Sequence, residues 1–312
     1  HWRSYKAFAR DLDLQRSMIV GPLAEKDPGL ALQFLWRFLG MAEGLSNLVD
    51  DGRGQVEEAF RAGVAAAGDI VARAHPEPGA LAEQVADLLE ADSDQVLGDL
   101  VTTLVPALDA AGLAALRARL QQLLDTAPRG RPGVRAAVQA LADAQGDVEG
   151  FIATVPEAEA RLPMAGAQIA RRLLAAGRTE DALAALAHSA PPTGGRTLPM
   201  GGEAWEETYI AALEADGQNE LAQELRWGAF ETRLAVGRLR DFLRRLKDFD
   251  DVEAEERALE FAKLYPKFSD ALGFLASWPA LAAAAELVLA RTSEIEPGRT
   301  EVLEPAAAML EA

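Results

Sequence analysis

The sequence predicts an all-α protein built from stacked antiparallel helix hairpins. Composition is the first reason: 49% of the 312 residues are hydrophobic but only 6% aromatic, and Ala and Leu dominate the apolar set. These are strong helix formers, whereas strands draw on Val, Ile, Thr, Tyr and Phe. The second reason is helical spacing of apolar residues, and the third is a glycine turn that recurs between helical stretches.

Taken in chain order, Leu32, Leu35, Trp36 and Leu39 fall at i, i+3, i+4 and i+7. Each such set paints one apolar stripe that a neighbouring helix must cover. The apolar stretch 30–41 is interrupted by Gln33 and Arg37 and falls short of the ~20 residues a bilayer demands, so it reads as a buried helix. Val56, Ala59, Phe60 and Gly63 form the next stripe, and His75-Pro76-Glu77-Pro78-Gly79 closes it. Asp92 and Gln95 have capping-box spacing ahead of Leu97, Leu100, Val101 and Leu104.

Residues 127–133 are rich in Pro and Gly and read as a linker. They separate an expected N-terminal helical region, 1–126, from a repeat region, 134–312. Within the second region, Gly177 and Gly217 each end a helix, and Ala182 and Ala222 follow five residues later; Gly146 heads a poorer copy with Phe151 in the alanine place. Glycine permits the positive φ that closes a helix, and a small residue lets two helices approach closely. The stretch 189–202, SAPPTGGRTLPMGG, reads as a long loop, either functional or a disordered insertion. Asp250 and Glu253 repeat the capping-box spacing before Ala258, Phe261, Ala262 and Tyr265, and Tyr265-Pro266 and Trp278-Pro279 mark later breaks.

The hairpins resemble degenerate tetratricopeptide repeats, through the Gly and Ala positions alone. More specifically, the chain is similar to an uncharacterised bacterial family of helical-repeat proteins. The residues that carry this are 170–186 (ARRLLAAGRTEDALAAL), 248–266 (DFDDVEAEERALEFAKLYP), 271–291 (ALGFLASWPALAAAAELVLAR), 144–153, 14–20 and 32–42. The resemblance implies a tetratricopeptide-like α-solenoid and brings no assigned activity and no catalytic residues. Family members carry a further N-terminal segment, and the chain, beginning at His1, reads as a fragment.

Charge excludes several functions. Acidic residues outnumber basic ones 49 to 31, a net of −18. Such a field repels nucleic-acid phosphates and anionic membranes, so neither is an expected partner. The chain has no cysteine, which removes disulfides and thiolate chemistry and suits a reducing cytoplasm. Its three histidines, His1, His75 and His188, have no partner at metal-ligand spacing. The acidic run 248–256 lacks the glycine a calcium loop needs at its sixth place, where Glu253 stands. Gly52-Arg53-Gly54 lacks the third glycine of a dinucleotide loop, and no phosphate loop or nucleophile elbow occurs. The expectation is a protein with no metal, no cofactor and no enzymatic activity.

One feature rises above background. Residues 202–231 hold eight acidic residues against Arg226, a net of −7; residues 232–247 hold six basic against Asp241, a net of +5; residues 248–260 hold seven acidic against Arg257, a net of −6. Either a basic helix is neutralised between acidic ones, or it exposes a strip for an acidic partner. Arg238, Arg240, Arg244 and Arg245 are its candidate partner-binding residues. Trp205 and Tyr209 stand one turn apart among glutamates and offer either a binding ridge or packing against the neighbouring hairpin. The expected function is a non-catalytic interaction scaffold for an unknown protein partner. The alternatives are an acidic decoy that occupies a nucleic-acid-binding protein, and an accessory region of a larger enzyme.

Overall fold

The computed structural model describes residues 2–46, 54–93, 95–126, 132–191, 199–247 and 250–294. Among these residues the regular structure is helical and no strand occurs. The chain divides into two compact units, His1–Pro156 and Glu157–Ala312. The expected boundary differs: most of the 127–133 linker lies outside the described residues, and the helix that follows it packs within the first unit.

In the first unit, α1 (Trp2–Met18) runs into a π-helical turn, Ile19–Leu23, that contains Pro22. α2 (Pro28–Leu39) starts where the Asp27 carboxylate accepts the Leu30 N–H at 2.9 Å, a side-chain N-cap ahead of a first-turn proline. The predicted stripe Leu32, Leu35, Trp36 and Leu39 is wholly buried. It packs on α3 (Gln55–Ala74), with the Phe38 and Phe60 rings 4.9 Å apart. His75 ends α3 with φ 45°, and Glu77 caps α4 (Pro78–Ala91) by accepting the Gly79 and Ala80 N–H groups.

The capping box expected at Asp92 takes another form. Its carboxylate accepts the Val96 and Leu97 N–H groups at 3.0 and 2.8 Å, and Gln95 lies at φ 58°. Asp92 therefore holds a tight turn, and α5 (Leu100–Leu104) begins only after it. A Cβ on Gly68 would lie 2.4 Å from the Thr103 carbonyl oxygen, so glycine is what lets α3 and α5 meet. α6 (Ala110–Thr126), α7 (Pro132–Gln145) and α8 (Val148–Ala153) complete the unit.

The second unit contains α9 (Pro163–Ala175), α10 (Thr179–His188), α11 (Gly202–Ala215), α12 (Asn219–Arg233), α13 (Val236–Leu243), α14 (Asp250–Lys263), α15 (Phe268–Ser277) and α16 (Leu281–Ala290). Helices close in sequence pack on one another. The predicted capping residue Asp250 is instead the first residue of α14, where its negative charge favours the helix N-terminus. Around Phe230, rings form a connected core: Phe230 lies 5.3 Å from both Trp227 and Phe274, and Phe274 stacks on Trp278 at 5.9 Å.

The three glycine turns share one geometry. Gly146, Gly177 and Gly217 have φ of 65°, 73° and 79°. Each donates its N–H three residues back, and the next residue closes a wider ring: Asp147 to Ala142, Arg178 to Leu173 and Gln218 to Leu213. This is the Schellman pattern that satisfies the last carbonyls of a helix. Ala182 and Ala222 are fully buried, as is Phe151 in the third place.

Candidate interaction surface

The basic block of the second unit is organised by two glutamates of α11. Glu206 accepts Arg233 of α12 at 2.6 Å and Arg238 of α13 at 2.9 Å. Glu214, about two turns further along α11, takes Arg226 of α12 at 2.7 Å and Arg245, just past α13, at 2.5 Å. Each glutamate thus bridges two arginines, giving two rungs across three helices. The numbering fits the helical repeat: Arg226 and Arg233 are seven apart, as are Arg238 and Arg245, and the glutamates are eight apart. Along α12 the order runs opposite to α11, and along α13 it runs the same way, so the rungs also report helix direction.

These rungs are shielded unequally. Glu206, Arg233 and Arg238 are 16–19% exposed, and the Arg226 side chain only 3%. Arg226 also donates to the Gln223 side-chain oxygen at 2.9 Å, while the Gln223 amide donates to the Phe242 carbonyl at 3.1 Å. Burial alone raises the Glu214 pKa, but hydrogen bonds from Arg245 and Arg226 outweigh it and hold the carboxyl below its ordinary range. Burial lowers the Arg226 pKa against the pull of Glu214, yet a guanidinium stays charged at neutral pH.

The remaining cations of the block have other surroundings. The Arg240 guanidinium lies over the Trp278 ring, 5.5 Å from its centroid. Trp278 in turn donates its indole N–H to Glu255 at 2.6 Å. Arg244, just past α13, is 71% exposed and reaches Asp241 of that helix at 3.4 Å. Lys247 is exposed and, among the described residues, has no ion-pair partner. Of the candidate residues named from sequence, Arg238 and Arg245 are therefore rung members, and Arg240 and Arg244 face outward.

Trp205 and Tyr209 stack with ring centroids 4.9 Å apart. The Trp205 indole N–H donates to the Leu186 carbonyl at 2.9 Å and to the Ser189 hydroxyl at 3.2 Å, so its polar edge closes the C-terminus of α10. Tyr209 packs beside the buried cluster of Ile210, Leu213 and Ala222. No hydrogen bond, ion pair or ring contact among the described residues joins this pair to Arg240 or Arg244.

Sequence reasoning passed over Glu206 and Glu214. The signal was present as matched seven- and eight-residue spacings between arginines and glutamates on successive helices, but block charge totals conceal it. Other candidates fall elsewhere: His75 ends α3, His188 lies in the last turn of α10, and His1, Gly52, Arg53 and Asp248 lie outside the described residues. Among the described residues no group of three or more His, Cys, Asp or Glu side chains is arranged to hold a metal ion. No described helix is long and apolar enough to cross a membrane.

No curated protein and no solved structure matches the chain. A family model described as a family of unknown function (DUF6880) matches it over residues 1–137 and again over 125–312. The two matched stretches together span the whole sequence, and the chain belongs to that family.

Proposed function

We propose that the protein is a non-catalytic scaffold that binds another protein in the cytoplasm, with its hairpins arranged as a tetratricopeptide-like α-solenoid. The observation that carries this reading is the repeated hairpin: glycine turns at Gly146, Gly177 and Gly217 with the same hydrogen-bond pattern, and fully buried residues, Phe151, Ala182 and Ala222, five positions on. Stacked hairpins of this kind present extended surfaces suited to protein partners. The rungs at Glu206 and Glu214 add rigidity, so the surface of the second unit is ordered before a partner arrives, which lowers the entropy lost on binding.

Affinity capture of the tagged full chain, quantified against a protein of matched size and charge, tests this reading. A specific protein enriched in stoichiometric amount is the expected result. Failure to enrich any protein above the control contradicts it.

A further inference from the structure

Six cations lie between residues 232 and 247, and the fold sorts them into two groups. Arg233, Arg238 and Arg245 are held by Glu206 and Glu214. Arg240, Arg244 and Lys247 are left outside the rungs, at i, i+4 and i+7. The chain offers 49 carboxylate side chains, yet the only one paired with any of these three among the described residues is Asp241, at 3.4 Å from Arg244.

We propose that Arg240, Arg244 and Lys247 form a recognition stripe for a short acidic segment of a partner protein. This rests on the scaffold reading and names the chemistry of its partner. Three physical arguments converge. First, a guanidinium presents a planar fork of donors that matches a carboxylate, and such charge-assisted pairs are the stronger hydrogen bonds. Second, the Trp278 face beneath Arg240 restrains that side chain while leaving its outer donors open, so less rotamer freedom is lost on binding. Third, the stripe is bounded. Arg240 and Arg244 stand one turn apart at the end of α13, ~6 Å of helical rise, and Lys247 follows three residues later, beyond the helix, which matches about two to three residues of extended chain.

The acidic flanks select the occupant. Glu255 accepts the indole N–H of the Trp278 ring that Arg240 covers, and Asp241 lies 3.4 Å from Arg244, so carboxylates border the stripe. A long polyanion such as a nucleic acid would lay phosphates against those carboxylates, and an anionic bilayer would meet the whole −18 field. A run of two to four Asp or Glu residues in a neutral context meets only the cations. Like-charge repulsion outside the stripe thus works as a filter on length.

The probe is a synthetic peptide with three consecutive glutamates set in Gly-Ser sequence, titrated at low salt into the 15N-labelled full chain. The guanidinium Nε–H resonances of Arg240 and Arg244 shift, those of Arg233 and Arg238 stay in place, and added salt reverses the shifts. In the Arg240→Gln/Arg244→Gln/Lys247→Gln protein the apparent Kd rises about tenfold or more, as expected for loss of three exposed pairs. The variant keeps the rungs, and an unchanged far-ultraviolet spectrum and melting midpoint confirm its fold. Absence of shifts at Arg240 and Arg244 at millimolar peptide overturns the proposal, as does an equal response to single-stranded oligothymidylate. A captured partner retained equally by the triple variant overturns the stripe and leaves the scaffold reading standing. Peptide shifts without any captured partner do the reverse.

Discussion

Arg226, almost wholly buried, donates to Glu214 at 2.7 Å from the middle of α12. That contact joins two helices that meet at the Gly217 turn, and Arg245 extends it to α13. A buried guanidinium without its carboxylate is costly, whereas a buried ion pair replaced by apolar groups can be neutral.

The two partners are therefore unequal under substitution. Glu214→Gln leaves Arg226 charged and desolvated and costs about 3 kcal/mol, the low end for a broken buried pair. Arg226→Met removes the buried charge, and Glu214 keeps Arg245, so this change costs about 1 kcal/mol or less. Urea unfolding of both variants at neutral pH, with midpoints compared at equal slope, measures the difference.

Acid weakens the second unit through the same carboxylate. The folded-state pKa of Glu214 lies below its ordinary 4.5, so its contribution is fully present above that value and fades as pH falls through the folded pKa. The expected melting midpoint is level from neutral pH to about pH 5 and drops below it. In Glu214→Gln the drop is shallower, because one of the protonating groups is gone. An identical slope in both proteins contradicts the assignment.

Glycines at two kinds of position respond differently to alanine. At Gly177 and Gly217 nothing lies within 4 Å of the place a Cβ would take, so Gly→Ala costs only the left-handed backbone, about 1 kcal/mol. At Gly68 the φ is ordinary but the Thr103 carbonyl blocks the methyl group at 2.4 Å. Gly68→Ala then costs about 1–3 kcal/mol through overpacking. Replacement by Asn, which tolerates positive φ, rescues the first class and worsens the second; thermal melts of the six single variants separate them.

Helices, turns and buried stripes were legible in the sequence because they depend on local spacing. The stripe from Leu32 to Leu39 and the turns at Gly177 and Gly217 are set within one or two helical turns of chain. Capping spacing was less reliable: Asp92 and Gln95 match a capping box, but the carboxylate bonds Val96 and Leu97 in a turn, a choice made by the local path of the chain. The candidate surface was half legible. Alternation of charge blocks offered either pairing or an exposed strip, and Arg238 and Arg245 pair; which acid receives them depends on helix direction across 31 or 32 residues, and no local pattern fixes that. Trp205 was visible as an aromatic in acidic surroundings, while its bond to the Leu186 carbonyl needs the third dimension.

The two-rung arrangement is tested most directly by double-mutant cycles across α11 and α13. Stabilities are measured for Glu206→Gln, Glu214→Gln, Arg238→Gln and Arg245→Gln, singly and in pairs. Coupling of about 1 kcal/mol is expected within each rung, for Glu206 with Arg238 and for Glu214 with Arg245, and close to zero for the crossed pairs Glu206 with Arg245 and Glu214 with Arg238. Equal coupling in all four pairs, or none within the rungs, contradicts it.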